Sequence, residues 1–294
     1  MTLICLRLRH AASSRQCHVS APRKPGGKAA VIMNSGDLQF FRHWFADFCR
    51  SYHSPDHGEQ MNIALKETHS IRVSENALLI AKGEAPDENG LLLAETGGLF
   101  HDIGRFPQYS RYKTFRDGIS VNHGALGAET LKEQGVLGRL SENEGDNIIW
   151  AVRHHNAFAV PMNEDAGKTL FLEIVRDADK LDIWRIFCEY YEGPDDNKAD
   201  AVPLGLPELP EYSREAVETI LKKEVVKSGH VSSMNDFRLL QLSWVFDLNF
   251  RTSFSLAGDR AIISRLAAAL PSADDIGRAV SVVQDHVREM AAYV

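Results

Sequence analysis

The chain has 294 residues with 33 basic and 40 acidic side chains, a formal charge of −7, and 44% hydrophobic against 25% charged residues. Such a chain builds one large or two smaller globular domains without needing a disulfide or a metal staple. Net acidity excludes a protein that mainly coats extended nucleic acid, which takes clustered Lys and Arg. The best apolar run, residues 91–100 with Glu95 inside it, is too short to span a membrane. Four scattered cysteines (Cys5, Cys17, Cys49 and Cys188) show no CxxC spacing, which suits free thiols and a cytoplasmic protein.

The first 32 residues hold six of the basic side chains and no acidic one, leaving 27 basic against 40 acidic in the remainder. This break marks residues 1–33 as a basic, disordered extension. It reads either as an organelle transit peptide or as a segment translated ahead of a start at Met33. From Asp37 onward apolar residues recur at helical spacing without sustained alternation, so the fold is predicted all-α. Helices are expected at roughly 37–52, 57–83, 90–102, 121–134, 142–156, 168–190, 213–223, 235–250, 254–268 and 274–291. Between them, residues 107–118 read as a loop in which Arg111, Lys113 and Arg116 interleave with Tyr109, Tyr112 and Phe115. That loop is either a platform for a base and its phosphates or a solvated surface segment with aromatic anchors. The proline-rich segment 193–212 is expected to link a domain over 34–192 to a C-terminal helical region over 213–294. In that region Ile276, Ala279, Val280, Val283, Val287 and Met290 form one apolar stripe. Its helices would cap the site or form a homodimer face.

Five successive helices place His or Asp on an apolar side. His69 shares a face with Met61, Leu65, Val73, Ala77 and Ile80, and His101 with Asp102 ends an apolar, glycine-containing helix expected to be central. His123 lies with Leu126 and Leu131, and His155 with Ile148 and Val152, whereas His154 falls on the adjacent face. Asp179 shares a stripe with Leu172, Val175, Ile183 and Ile186, while Asp177 keeps company with Glu173, Lys180 and Trp184. His155 and Asp179 are therefore the better inward candidates, with His154 and Asp177 as the alternatives. Singly, each is most simply a hydrogen-bonded core residue. Together, unpaired burial would cost roughly several kcal/mol apiece, and a shared cation is the economical explanation. Imidazole and carboxylate without thiolate suit a divalent transition metal such as Mn, Fe, Co, Ni or Zn.

The runs from His101 to Phe106 (HDIGRF) and from Arg176 to Asp182 (RDADKLD) resemble the second and last motifs of the HD-domain metal-dependent phosphohydrolase superfamily. The resemblance covers about residues 62–191. It implies an HD-domain helical bundle with additional C-terminal helices, with His69, His101, Asp102 and Asp179 as metal ligands. Binuclear members add two histidines, and His123 and His155 stand in matching places, so one or two ions are expected. The implied reaction is hydrolysis of a phosphate ester, mono- or diester, of a nucleotide or other small molecule through a metal-activated water. The Gly-Tyr-Pro motif of the cyclic-di-GMP phosphodiesterases is missing after His155, which disfavours that substrate.

Alongside the bridging ligand Asp102, three residues are candidates for catalysis. Arg105 would hold phosphate oxygens or pair with Asp117. Lys180 would touch phosphate or pair with Asp177 or Asp182. His154 would donate a proton to the leaving oxygen or stand exposed on its helix. Two competing readings are a catalytically silent regulatory domain of the same fold and a di-iron oxygenase of the same architecture.

Overall fold

A computed structural model describes residues 32–84, 87–161, 165–193 and 205–292. Nearly all of the basic extension (1–31) and much of the proline-rich segment (194–204) lie outside the described residues. Among those described, every regular element is helical: α1 Ser35–Arg50, α2 His57–Gly83, α3 Glu88–Phe100, α4 Arg105–Tyr112, α5 His123–Gln134, α6 Glu142–His154, α7 Ala166–Glu192, α8 Arg214–Leu221, α9 Met234–Ser243, α10 Arg251–Asp259, α11 Ile262–Ala268 and α12 Asp274–Ala292. The expected all-α architecture is the one found. No helix among these residues is long and apolar enough to cross a membrane.

Three expectations need correction. The stretch 107–118 is half helix. Pro107 stands in the first turn of α4, where an amide has no intrahelical partner to lose, and Lys113, at φ 53°, ends the helix. The helix expected over 235–250 ends at Ser243, continues as a 3-10 turn over Trp244–Asp247 and turns extended at Leu248. There the amides of Asn249 and Phe250 are captured by the Asp177 carboxylate. The helix expected over 254–268 breaks at Ala261, φ 50°, into α10 and α11. Apolar spacing resumes after each break, so periodicity alone does not reveal it.

Two apolar clusters flank the site. One joins Phe41, Trp44 and Phe45 of α1 to Leu99 and Phe100 of α3, with Phe106, Leu131 and Ile148. The other joins Val73, Ala77 and Ile80 of α2 and Leu181 and Trp184 of α7 to Ile220, Leu239, Phe254 and Val283 of the C-terminal helices. The C-terminal region thus shares a continuous core with α2 and α7, and the Trp184 indole donates to the Gln241 carbonyl at 2.9 Å. As a result α7 is enclosed on two sides and shares the central position expected of α3.

At Gly98 a Cβ would come within 2.9 Å of the Ser74 Cα and the Val73 carbonyl. The backbones of α2 and α3 therefore nearly touch, which brings His69 beside His101. Gly104 plays the same part at the other edge, where a Cβ would meet the His123 carbonyl at 2.2 Å.

Candidate metal centre

The Asp102 carboxylate lies between two histidine pairs. Its Oδ2 is 3.6 Å from His69 Nε2 and 3.8 Å from His101 Nε2. Its Oδ1 is 3.2 Å from His123 Nε2 and 3.6 Å from His155 Nε2. Within the pairs the facing Nε2 atoms are 3.2 Å apart for His69 and His101 and 3.0 Å apart for His123 and His155. Asp179 Oδ1 joins the first pair, at 3.1 Å from His69 and 3.4 Å from His101.

Each ring is held in place through its other nitrogen. His69 Nδ1 donates to Asp182 Oδ2 at 2.7 Å, His101 Nδ1 to the Gly98 carbonyl at 2.7 Å, His123 Nδ1 to Asp117 at 2.7 Å and His155 Nδ1 to the Val152 carbonyl at 2.8 Å. A carbonyl only accepts, so the Nδ1 proton is assigned and the Nε2 lone pair of each neutral ring faces inward. Lone pairs facing one another at about 3 Å repel unless a cation stands between them. The Asp179 Oδ1 atom, buried without a hydrogen-bond partner, adds an unused donor to the same space. The residues present therefore fit a metal.

Electrostatics agree. Burial raises the Asp102 and Asp179 carboxyls, but Lys66, His101 and Arg105 around the first, and His101 and His69 around the second, hold both well below the carboxylate range. Burial, helped by Arg105, pushes His123 down to about 4, and burial also lowers His101. Ionised carboxylates and neutral imidazoles are the forms that ligate metals. His69 is the exception: burial and Lys66 lower it, yet Asp179 and Asp182 hold it above the ordinary histidine value. A proton drawn to that edge marks where the cluster attracts positive charge.

The gathered set is His69, His101, Asp102, His123, His155 and Asp179. Asp177 is fully buried but accepts from Asn249 and Phe250, facing the C-terminal region. His154 turns its ring onto Trp150, with centroids 5.2 Å apart. Lys180 Nζ lies 2.8 Å from Asp247 Oδ2, a partner not foreseen from the sequence. Arg105 spends one guanidinium nitrogen on Asp117, Gln108 and the Phe115 carbonyl, while its Nε stands 3.4 Å from Asp102 Oδ1.

Sequence reasoning missed Lys66, which donates to Asp102 Oδ2 at 2.8 Å, and missed Asp117 and Asp182 as holders of His123 and His69. The signal was present in helical spacing: Lys66 precedes His69 by three residues and Asp182 follows Asp179 by three. No curated protein and no solved structure matches the chain. The family model of the HD domain matches residues 67–184, the span from just before His69 to just beyond Asp182. Those residues are thus similar to an HD domain, and the matched span contains His101 and Asp102.

Proposed function

We infer that the protein is a metal-dependent phosphohydrolase that cleaves a phosphate ester of a nucleotide or another small molecule. The observation that carries this reading is the Asp102 carboxylate, one oxygen of which faces each histidine pair. Two divalent ions would be held, one by His69, His101 and Asp179 with Asp102, the other by His123 and His155 with Asp102. Bound there, such ions polarise phosphate oxygens and make water a nucleophile near neutral pH.

The chain's own residues supply the remainder. Lys66 keeps its ammonium group beside Asp102 with 14% of its side chain exposed, and so offers a positive contact to a phosphate oxygen. Arg105 has one guanidinium nitrogen engaged by Asp117 and the Phe115 carbonyl and its Nε beside Asp102, which makes it a positioning residue for Asp102. Lys180 and His154 take no part in this reading, the first because Asp247 holds it and the second because its ring lies on Trp150.

The test is metal analysis of the full chain, then phosphate release from nucleotides, sugar phosphates and p-nitrophenyl phosphate with Mn, Co, Ni, Zn or Mg. Two bound ions and turnover are expected, and Asp102→Ala should reduce both together, turnover by about 100-fold or more. Metal-loaded protein that releases phosphate from no ester would overturn the reading. Oxygen consumption by an iron-loaded, coloured protein would favour the oxygenase instead.

A further inference from the structure

Three guanidinium groups lie near one another where α2, α7 and α10 meet behind His69. Arg260 follows directly after α10, and the next residue, Ala261, takes a left-handed backbone at φ 50°, a conformation disfavoured for any residue with a β-carbon. Backbone strain of this kind persists where the surrounding structure uses it. Here the turn leaves Arg260 reaching α2, where its Nη2 donates to Asn76 Oδ1 at 2.8 Å. Asn76 is buried, and its Nδ2 donates to the Ala178 carbonyl of α7. Arg72 stands one helical turn before Asn76 on α2, and Arg185 stands one turn after Asp182 on α7.

A cation drawn half out of water is ordinarily matched by an opposite charge. Arg260 is half-buried, yet among the described residues its guanidinium is bonded to the neutral Asn76 amide and meets no carboxylate within ion-pair distance. Burial lowers its pKa, Asp182 raises it, and the like charges of Arg185 and Arg72 lower it again. Asp182 gives little relief because both its oxygens are already engaged, by His69 and Arg185. The other two cations have partners that exchange easily. Arg72 holds Glu75 at 3.1 Å and Arg185 Nη1 holds Glu189 at 2.6 Å, and both carboxylates are 57% exposed, so each pair contributes little.

The fork of Arg260 not spent on Asn76, flanked by two further cations with weak partners, suits a tetrahedral oxyanion, which takes parallel N–H bonds from one guanidinium and charge from the others. We propose that Arg72, Arg185 and Arg260 form a binding site for a small oxyanion of the phosphate class. The His69 ring separates it from the Asp102 centre, since Nε2 of that ring faces Asp102 and Nδ1 faces Asp182. A bound anion would cancel the like charges and tie α10 to α2 and α7. The site does not depend on the phosphohydrolase reading, because none of the three guanidinium groups touches Asp102 or takes part in the proposed hydrolysis.

Two measurements with inorganic phosphate at constant ionic strength test it, on the full chain stripped of metal and dialysed free of chelator. Calorimetric titration should show about one phosphate bound per chain. Millimolar phosphate should raise the melting temperature, since a ligand that binds the folded state stabilises it. Arg260→Gln should weaken phosphate binding about tenfold or more and remove most of the thermal shift, and Arg260→Lys should restore part of both. Lys66→Gln, at the Asp102 centre, should leave phosphate binding unchanged. The exposed Arg72→Gln should also weaken binding, and it carries the test should Arg260→Gln fail to fold. Binding lost in Lys66→Gln but kept in Arg260→Gln places the anion at the Asp102 centre and overturns the proposal. No binding to the wild type, or equal binding to wild type, Arg260→Gln and Arg72→Gln, overturns it as well.

Discussion

Single atoms decide how the histidines act. His101 and His155 are oriented by backbone carbonyls three residues back in their own helices, so no side-chain substitution releases them. His69 and His123 depend instead on Asp182 and Asp117, and Asp182 is itself gripped by Arg185 at 2.6 Å. A carboxylate behind a ligating imidazole fixes the ring and raises its basicity. Asp182→Asn should therefore weaken metal binding at the His69 side by about 10–100-fold, read by equilibrium dialysis against a chelator series. His123→Ala should instead remove about one ion per chain and spare the other. Equal losses at both sites in the Asp182 variant would show that the carboxylate acts through the fold and not through His69.

At the scale of helices, close approach and capping position these atoms. Gly98→Ala gains about 1 kcal/mol of helix propensity but forces a methyl into the backbone of α2 at Ser74. Overpacking of this kind costs about 1–3 kcal/mol. The variant should melt lower than wild type and bind metal more weakly, because His69 and His101 move apart. Two capping carboxylates give the acid limb of stability. Glu144 accepts from the Met33 amide, Asn89 and Ser141, and Asp236 from the amides of Ser213, Ser232 and Ser233. Burial raises both, but these donors outweigh it and hold each below its ordinary value. A depressed folded-state value means the contribution is complete above the unfolded value near 4 and drains away as the pH falls toward the folded one. Denaturant midpoints should fall below about pH 5 in the wild type, and less steeply in Glu144→Gln and Asp236→Asn. Identical slopes in wild type and both variants would assign the acid limb to other groups.

Across the whole molecule, the C-terminal helices are wired to the candidate metal centre. Asp247 accepts from Arg176 at 2.9 Å and from Lys180 at 2.8 Å, and Arg176 in turn donates to the carbonyl of His155. Removing a carboxylate from two buried cations is costly, although the 37% exposure of Asp247 softens the loss. Asp247→Ala should lower stability by about 2 kcal/mol and weaken the ion held by His155, read from thermal melts and metal titration. Truncation after Gly193 should be more severe, because Val73, Ile80, Leu181 and Trp184 would lose the cover supplied by Ile220, Leu239, Phe254 and Val283. Such a fragment should aggregate; a soluble, cooperatively melting fragment would show that the portion up to Gly193 folds alone.

The helical class and the inward faces were legible in the sequence because both follow from a local repeat of 3.6 residues. That repeat put His69, His101, His123 and His155 on apolar stripes before any packing was known, and all four side chains are buried in the fold. What covers a face is another matter. Asp177 looked outward because its helical neighbours are polar, yet the chain returns seventy-two residues later to bury it under Asn249. Lys66, Asp117 and Asp182 look like ordinary surface residues until three separate helices converge on Asp102. The breaks at Leu248 and Ala261 escaped notice for the same reason, since the apolar spacing runs on through them. Helical phase is set by neighbours along the chain, whereas partners, and the division of one carboxylate between two histidine pairs, are set by residues far apart in sequence that meet only when the helices pack.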